Sequence, residues 1–165
     1  MRGISLHWTA GDYATVYPAY HFCLSGASDL LVHATHDLRA NMREIARAPH
    51  EPYAAHTAGR NSFTIGLAIC AMDGAGPSDF GLFPLTGAQI EAMCTFAAAL
   101  VARYGIATAN VRTHAEAALD DGYFGAQSDD VRWDIARIRP APESLDPREA
   151  RETADVFRAR ISALR

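Results

Sequence analysis

His7, His114 and Asp134 are the residues of this chain whose types fit a catalytic metal centre. Two imidazoles and one carboxylate leave the fourth position of a tetrahedral zinc ion open to water, the donor set of hydrolytic zinc sites. His7 ends the alternating segment Gly3-Ile4-Ser5-Leu6-His7-Trp8, His114 follows a short stretch around Val111, and Asp134 lies in Arg132-Trp133-Asp134-Ile135. The three are far apart in sequence, so spacing alone does not establish a site, and a single histidine in an apolar strand is more often a core residue than a ligand. The three cysteines, Cys23, Cys70 and Cys94, sit among apolar residues without CxxC spacing. They read as buried free thiols, not as a disulfide framework or a thiolate zinc site. All 15 basic residues are arginine and none is lysine, which excludes a Schiff base and a Walker-type phosphate lysine. Together with 32 alanines, this bias fits a GC-rich genome.

The elements that must position these residues follow from periodicity. Gly3–Trp8 alternates and reads as a strand. Tyr20–Leu24 reads as a second strand, and Leu30–His33 as its hairpin return across the turn cluster Ser25–Asp29. Leu38–Ala48 reads as a short helix with Leu38, Met42 and Ile45 on one face and Pro49 as its stop. Phe63–Met72 is apolar on both faces, as a central strand should be. Thr86–Tyr104 is the clearest helix: Thr86 and Gln89 form a capping box, Ile90, Met93, Ala97, Leu100, Val101 and Tyr104 make one stripe, and Gly105 suits the left-handed terminator. Residues 115–131 are acidic and contain glycine, which reads as a loop. Pro140, Pro142 and Pro147 mark a linker into a last helix that starts at Asp146-Pro147 and carries Ala150, Ala154, Phe157, Ile161 and Leu164 on one face. That helix is expected to pack back on the domain as part of a monomer; a dimer contact is the alternative. The sum is an α/β fold with a central mixed β-sheet flanked by helices.

Composition narrows the function classes. With 49% apolar and 21% charged residues, the chain is globular in character, and 165 residues fit one domain. A net charge of −4 without a basic face argues against nucleic-acid binding. No apolar run approaches the ~20 residues of a membrane span. The Met1-Arg2-Gly3-Ile4 start lacks the features of a signal peptide, so synthesis in the cytoplasm without a signal peptide is expected.

Several segments, taken in order, resemble the zinc-dependent N-acetylmuramoyl-L-alanine amidases that share a fold with peptidoglycan recognition proteins. They are His7-Trp8-Thr9-Ala10-Gly11, Ala19-Tyr20-His21-Phe22, Ala55-His56-Thr57-Ala58-Gly59-Arg60-Asn61 with Thr64-Ile65-Gly66-Leu67, the Thr86–Gly105 helix, Thr113-His114-Ala115-Glu116, and Arg132-Trp133-Asp134. The resemblance spans roughly Gly3 to Ile138 and implies an amidase domain at 1–139, followed by the linker and helix at 140–165.

Carried over residue by residue, it implies that His7, His114 and Asp134 bind Zn2+. Tyr20 would project into the site to hydrogen-bond the attacking water or the developing oxyanion; the alternative is an aromatic filling the core. His56 would line the substrate groove or orient its neighbours, His21 would be structural, and Asn61 would position backbone at the turn into the strand. Many members carry Glu where Ala68 stands, as the base for the attacking water. Glu116 is the nearest remaining carboxylate and would act as that base or orient a ligand. Arg132 replaces a frequent lysine and would stabilise the oxyanion as a fixed cation. The implied activity is hydrolysis of the amide between N-acetylmuramic acid and L-alanine in peptidoglycan, as a lytic enzyme acting on the wall after release, such as a phage or prophage endolysin. A muramyl-peptide binding module without catalysis, or a cytoplasmic amidase recycling anhydromuropeptides, are the alternatives.

Overall fold

The structure, a computed structural model, describes residues 1–126, 128 and 130–165. Its strands are β1 (Gly3–Trp8), β2 (Phe22–Ser25), β3 (Leu31–Ala34), β4 (Thr64–Ile69) and β5 (Val111–Thr113). Its α-helices are α1 (Gly87–Tyr104), α2 (His114–Asp121) and α3 (Pro147–Ala163). The sheet order is β3-β2-β4-β1-β5, with β3 antiparallel to β2 and the remaining neighbours parallel. This is the expected mixed sheet, and its parallel core needs cover on both faces.

Strand alternation sorts the side chains into two faces. Ile4, Leu6 and Trp8 of β1 and Ile65, Leu67 and Ile69 of β4 enter one core with Ile90, Met93, Ala97 and Val101 of α1. Helix α1 starts as expected, with Thr86 and Gln89 in a reciprocal capping box, and ends at Gly105 in the left-handed region. Helix α3 starts on the Asp146 side chain with Pro147 in its first turn and buries Ala150, Ala154, Phe157 and Ile161. Ala150, Phe157 and Ile161 join that same core, so the last helix packs back on the domain. The cysteines are free and buried. No helix among the described residues is long and apolar enough to cross a membrane.

Three expectations change. The second strand begins at Phe22 rather than Tyr20, because residues 18–20 form a turn. The segment 38–48 makes two separate 3-10 turns, Leu38–Asn41 and Ile45–Arg47. Between them the buried Asn41 side chain bonds the backbone of Ala54 and Asn61, which ties this stretch to a neighbouring loop instead of continuing a helix. The third change is α2, which occupies the start of the supposed loop 115–131. Its N-cap is Thr113, whose side chain accepts from the Glu116 N–H, and Gly122 ends it in the left-handed region. Residues 127 and 129 of that stretch lie outside the described residues.

Candidate metal centre

The register of the sheet assembles the centre. Leu6 of β1 stands opposite Thr113 of β5, so the next residues, His7 and His114, meet with ring centroids 4.6 Å apart. Both lie at the carboxyl end of parallel strands, where open α/β sheets place their ligands. Asp134 arrives from an irregular segment. Its carbonyl accepts from the Ala115 N–H in the first turn of α2 at 3.0 Å. Trp133 before it packs edge-on against Trp8 at 4.5 Å. Ile135 after it holds φ at 60°, a conformation rare for a β-branched residue. That kink lets Trp133 and Ile135 both enter the core while Asp134 reaches the histidines.

The donor atoms converge. Nδ1 of His7 and Nδ1 of His114 are 3.1 Å apart, and Oδ2 of Asp134 lies 3.2 Å from the second and 3.5 Å from the first. Donors about 2.0–2.1 Å from a tetrahedral ion are separated by about 3.3 Å along each edge, so the group fits zinc without rearrangement. All three residues are buried, and Asp134 Oδ1 is buried with no hydrogen-bond partner among the described residues.

Burial pushes the His7 imidazole down to about 4, against the pull of its Asp134 hydrogen bond. For Asp134, burial pushes upward, but the neighbouring His114 and His7 outweigh it and hold the carboxyl well below its usual range. Neutral His7 and ionised Asp134 are the states a divalent cation needs.

A hydrogen-bond chain fixes which nitrogen of His7 is bare. The His56 ring places Nε2 3.4 Å from the Thr64 carbonyl, which can only accept, so the proton sits there. Burial holds His56 neutral, with its pKa well below the ordinary value. Its Nδ1 therefore accepts from the Thr57 hydroxyl at 2.9 Å. The Thr57 oxygen, 3.3 Å from His7 Nε2, then accepts the His7 N–H and leaves Nδ1 as a lone pair facing His114 and Asp134. Asn61 Oδ1 anchors this loop by accepting from the backbone N–H of His56 and Thr57 at 3.0 and 2.9 Å. Gly66 makes the stacking possible, since a Cβ there would lie 2.5 Å from Cγ of His56. His56 thus orients a neighbour, through a threonine that the residue types alone did not mark.

The other expected residues divide. Arg132 lines an open groove of about 610 Å3 together with His56, Thr57, His114 and Tyr123. Its guanidinium donates to the carbonyls of Val131, at 2.7 Å, and Ser128. Tyr20 packs its ring 5.0 Å from His7, but its hydroxyl donates to the Trp8 carbonyl at 3.2 Å, and the residue does not line the groove. Glu116 is not brought to the donor atoms. At about 100° of rotation per helical residue, a side chain two positions after His114 turns to the far side of α2. Both its oxygens are held there by Arg158 of α3, at 2.8 and 3.0 Å, which does not suit a base for the attacking water. His21 is structural, with its Nδ1 accepting from the Gly66 N–H at 2.9 Å. Ala68, paired in register with both His7 and Cys23, presents a methyl that packs with Cys23, Cys70 and Tyr20.

A family model described as N-acetylmuramoyl-L-alanine amidase matches residues 1–131. That span includes His7, Tyr20, His56 and His114 and stops short of Arg132 and Asp134. No curated protein matches the sequence. Among solved structures, the chain is similar to the N-acetylmuramyl-L-alanine amidase AmiD from E. coli, in complex with the substrate anhydro-N-acetylmuramic acid-L-Ala-D-gamma-Glu-L-Lys. The TM-score is 0.50 at 19% identity, over 70% of this chain and 49% of that chain. At that identity the likeness is one of fold, and the chain spans about half the length of AmiD.

Proposed function

The chain belongs to the N-acetylmuramoyl-L-alanine amidase family. From that premise we propose that it hydrolyses the amide between N-acetylmuramic acid and L-alanine of peptidoglycan or of muropeptides, with a zinc ion held by His7, His114 and Asp134. The observation that carries this reading is the donor triangle of 3.1, 3.2 and 3.5 Å. Zinc, when bound, supplies a Lewis acid and lowers the pKa of water.

The chain's own residues do the rest. Thr57, set by His56, keeps the His7 Nδ1 lone pair aimed at the metal position, the usual task of an outer partner of a metal-bound histidine. Arg132 places a permanent positive charge on the groove wall, where the scissile carbonyl develops negative charge. The buried setting of the three ligands keeps bulk water from competing for them.

A second reading, binding of muramyl peptide without cleavage, is favoured by one observation: Ala68 offers no carboxylate beside His7. One experiment separates the two. The purified protein is incubated with sacculi and with soluble muropeptides, with added zinc or with chelator, and new L-alanine amino termini are counted. Zinc-dependent release is expected; binding with no release under any condition would replace the amidase reading with the binding one. Preference for sacculi would place the enzyme at the wall, and preference for soluble fragments would place it in muropeptide turnover.

A further inference from the structure

We propose that the phenol of Tyr123, rather than that of Tyr20, donates the hydrogen bond that steadies the oxygen of the scissile carbonyl. The inference rests on the amidase reading above. An oxyanion donor needs a residue on the groove wall whose hydroxyl is not already committed to another acceptor. Tyr20 fails on both counts, because its hydroxyl is engaged by the Trp8 carbonyl and its ring is packed over Cys23, Ala68 and Cys70.

Tyr123 meets both. It lines the groove beside His114 and Arg132, with its ring edge-on to His114 at 5.9 Å. Its hydroxyl is buried and has no hydrogen-bond partner among the described residues. Buried polar atoms are nearly always paired in native structures, so an unpaired phenol on a groove wall points to a partner that arrives with the substrate. With an ordinary pKa of about 10, a phenol is protonated and able to donate at neutral pH.

The backbone holds this side chain in place. Gly122 ends α2 in the left-handed region, and the Tyr123 N–H donates to the Ala118 carbonyl at 2.9 Å. The Arg132 N–H donates to the Tyr123 carbonyl at 3.0 Å, and the Gly125 N–H to the Arg132 carbonyl at 3.2 Å. This short parallel bridge between Phe124 and Arg132 fixes Tyr123 and Arg132 as neighbours on one wall. The wall presents one neutral donor and one positive charge. The phenol keeps its proton throughout and shares it with the carbonyl oxygen as charge builds there, so no proton is transferred.

The test compares Tyr123→Phe and Tyr20→Phe with wild type on soluble muropeptides, with zinc content and Tm measured on each. For Tyr123→Phe, kcat is expected to fall roughly 100-fold, the loss typical of one removed oxyanion donor. KM, zinc content and Tm should stay at wild-type values, since the lost hydroxyl has no partner among the described residues. Tyr20→Phe is expected to lower Tm, through its lost bond to Trp8, and to cost far less in kcat. Wild-type kcat in Tyr123→Phe, or a larger kcat loss in Tyr20→Phe, would overturn the assignment while leaving the amidase reading intact. A wild-type protein that binds zinc yet cleaves nothing would overturn both.

Discussion

His7 and Asp134 reach the same proposed metal centre from opposite kinds of scaffold. His7 sits in β1, hydrogen-bonded to β4 on one side and flanked by β5 on the other, so its position is a by-product of the ladder. Asp134 sits in an irregular segment, held by the Ala115 N–H on its carbonyl and by the packing of Trp133 and Ile135, with a further anchor along the chain. Three residues on, the buried guanidinium of Arg137 donates to the carbonyls of Pro77, Ala141, Glu143 and Ser144 and to the Glu149 carboxylate of α3. The same helix sends Arg158 to Glu116 and to the Val111 carbonyl, behind the segment that carries His114. His7 and His114 are thus placed by the register of β1 and β5, whereas the irregular Asp134 segment is backed by an ion pair from a helix that lies outside the matched family span. The last helix thus braces the segments that carry His114 and Asp134.

The contrast can be broken most sharply at Arg137. Arg137→Ala leaves Glu149 and four carbonyls without their donor. It is expected to cost about 4 kcal/mol in urea unfolding, the scale of breaking a buried ion pair. A loss below about 1 kcal/mol, the scale of a surface pair, would show that the Asp134 segment needs no such anchor.

The ladder side responds to pH through His21. Burial lowers its imidazole from 6.5 to about 4, and its neutral Nδ1 accepts the β4 N–H of Gly66. The unfolded chain therefore binds the proton first, and stability should fall as pH drops from 6.5 to 4, by roughly 3 kcal/mol, and then level off for this group. In His21→Gln the part of the pH dependence due to this group should vanish; an unchanged slope would exclude it as the source.

The gentlest probe is Arg158→Gln, which frees the buried Glu116 carboxylate two residues from His114. It should cost about 2 kcal/mol in stability and weaken zinc about 10-fold, as changes behind a metal ligand do. Restoring a cation with Arg158→Lys should recover part of both. Unchanged zinc affinity in Arg158→Gln would confine the helix to a packing role.

The same contrast accounts for what could be read from the sequence. Strand β1 announces itself through alternation, β4 through a run apolar on both faces, and helices α1 and α3 through an apolar stripe and their caps, because those signals are local. Helix α2 escapes, since His114–Asp121 has no apolar stripe and its acidic end resembles a loop. Its local signals were nevertheless present in Thr113 with Glu116 and in Gly122. The ligand set was legible only through the order of motifs, because the convergence of His7 with His114 depends on a register that pairs β1 with β5. Glu116 does not suit the base for the opposite reason: closeness in sequence to His114 means the far side of a helix in space, where Arg158 holds both its oxygens. Thr57 and Tyr123 become visible only once hydrogen bonds, present or missing, can be counted.

The proposed zinc site joins His7, His114 and Asp134. It is tested most directly by the zinc content of purified protein after dialysis, measured for wild type, His7→Ala and Asp134→Ala, each confirmed folded by circular dichroism. One zinc per wild-type chain is expected, and none retained by either variant. A folded Asp134→Ala protein that keeps stoichiometric zinc, or a wild type that takes up none, would contradict it.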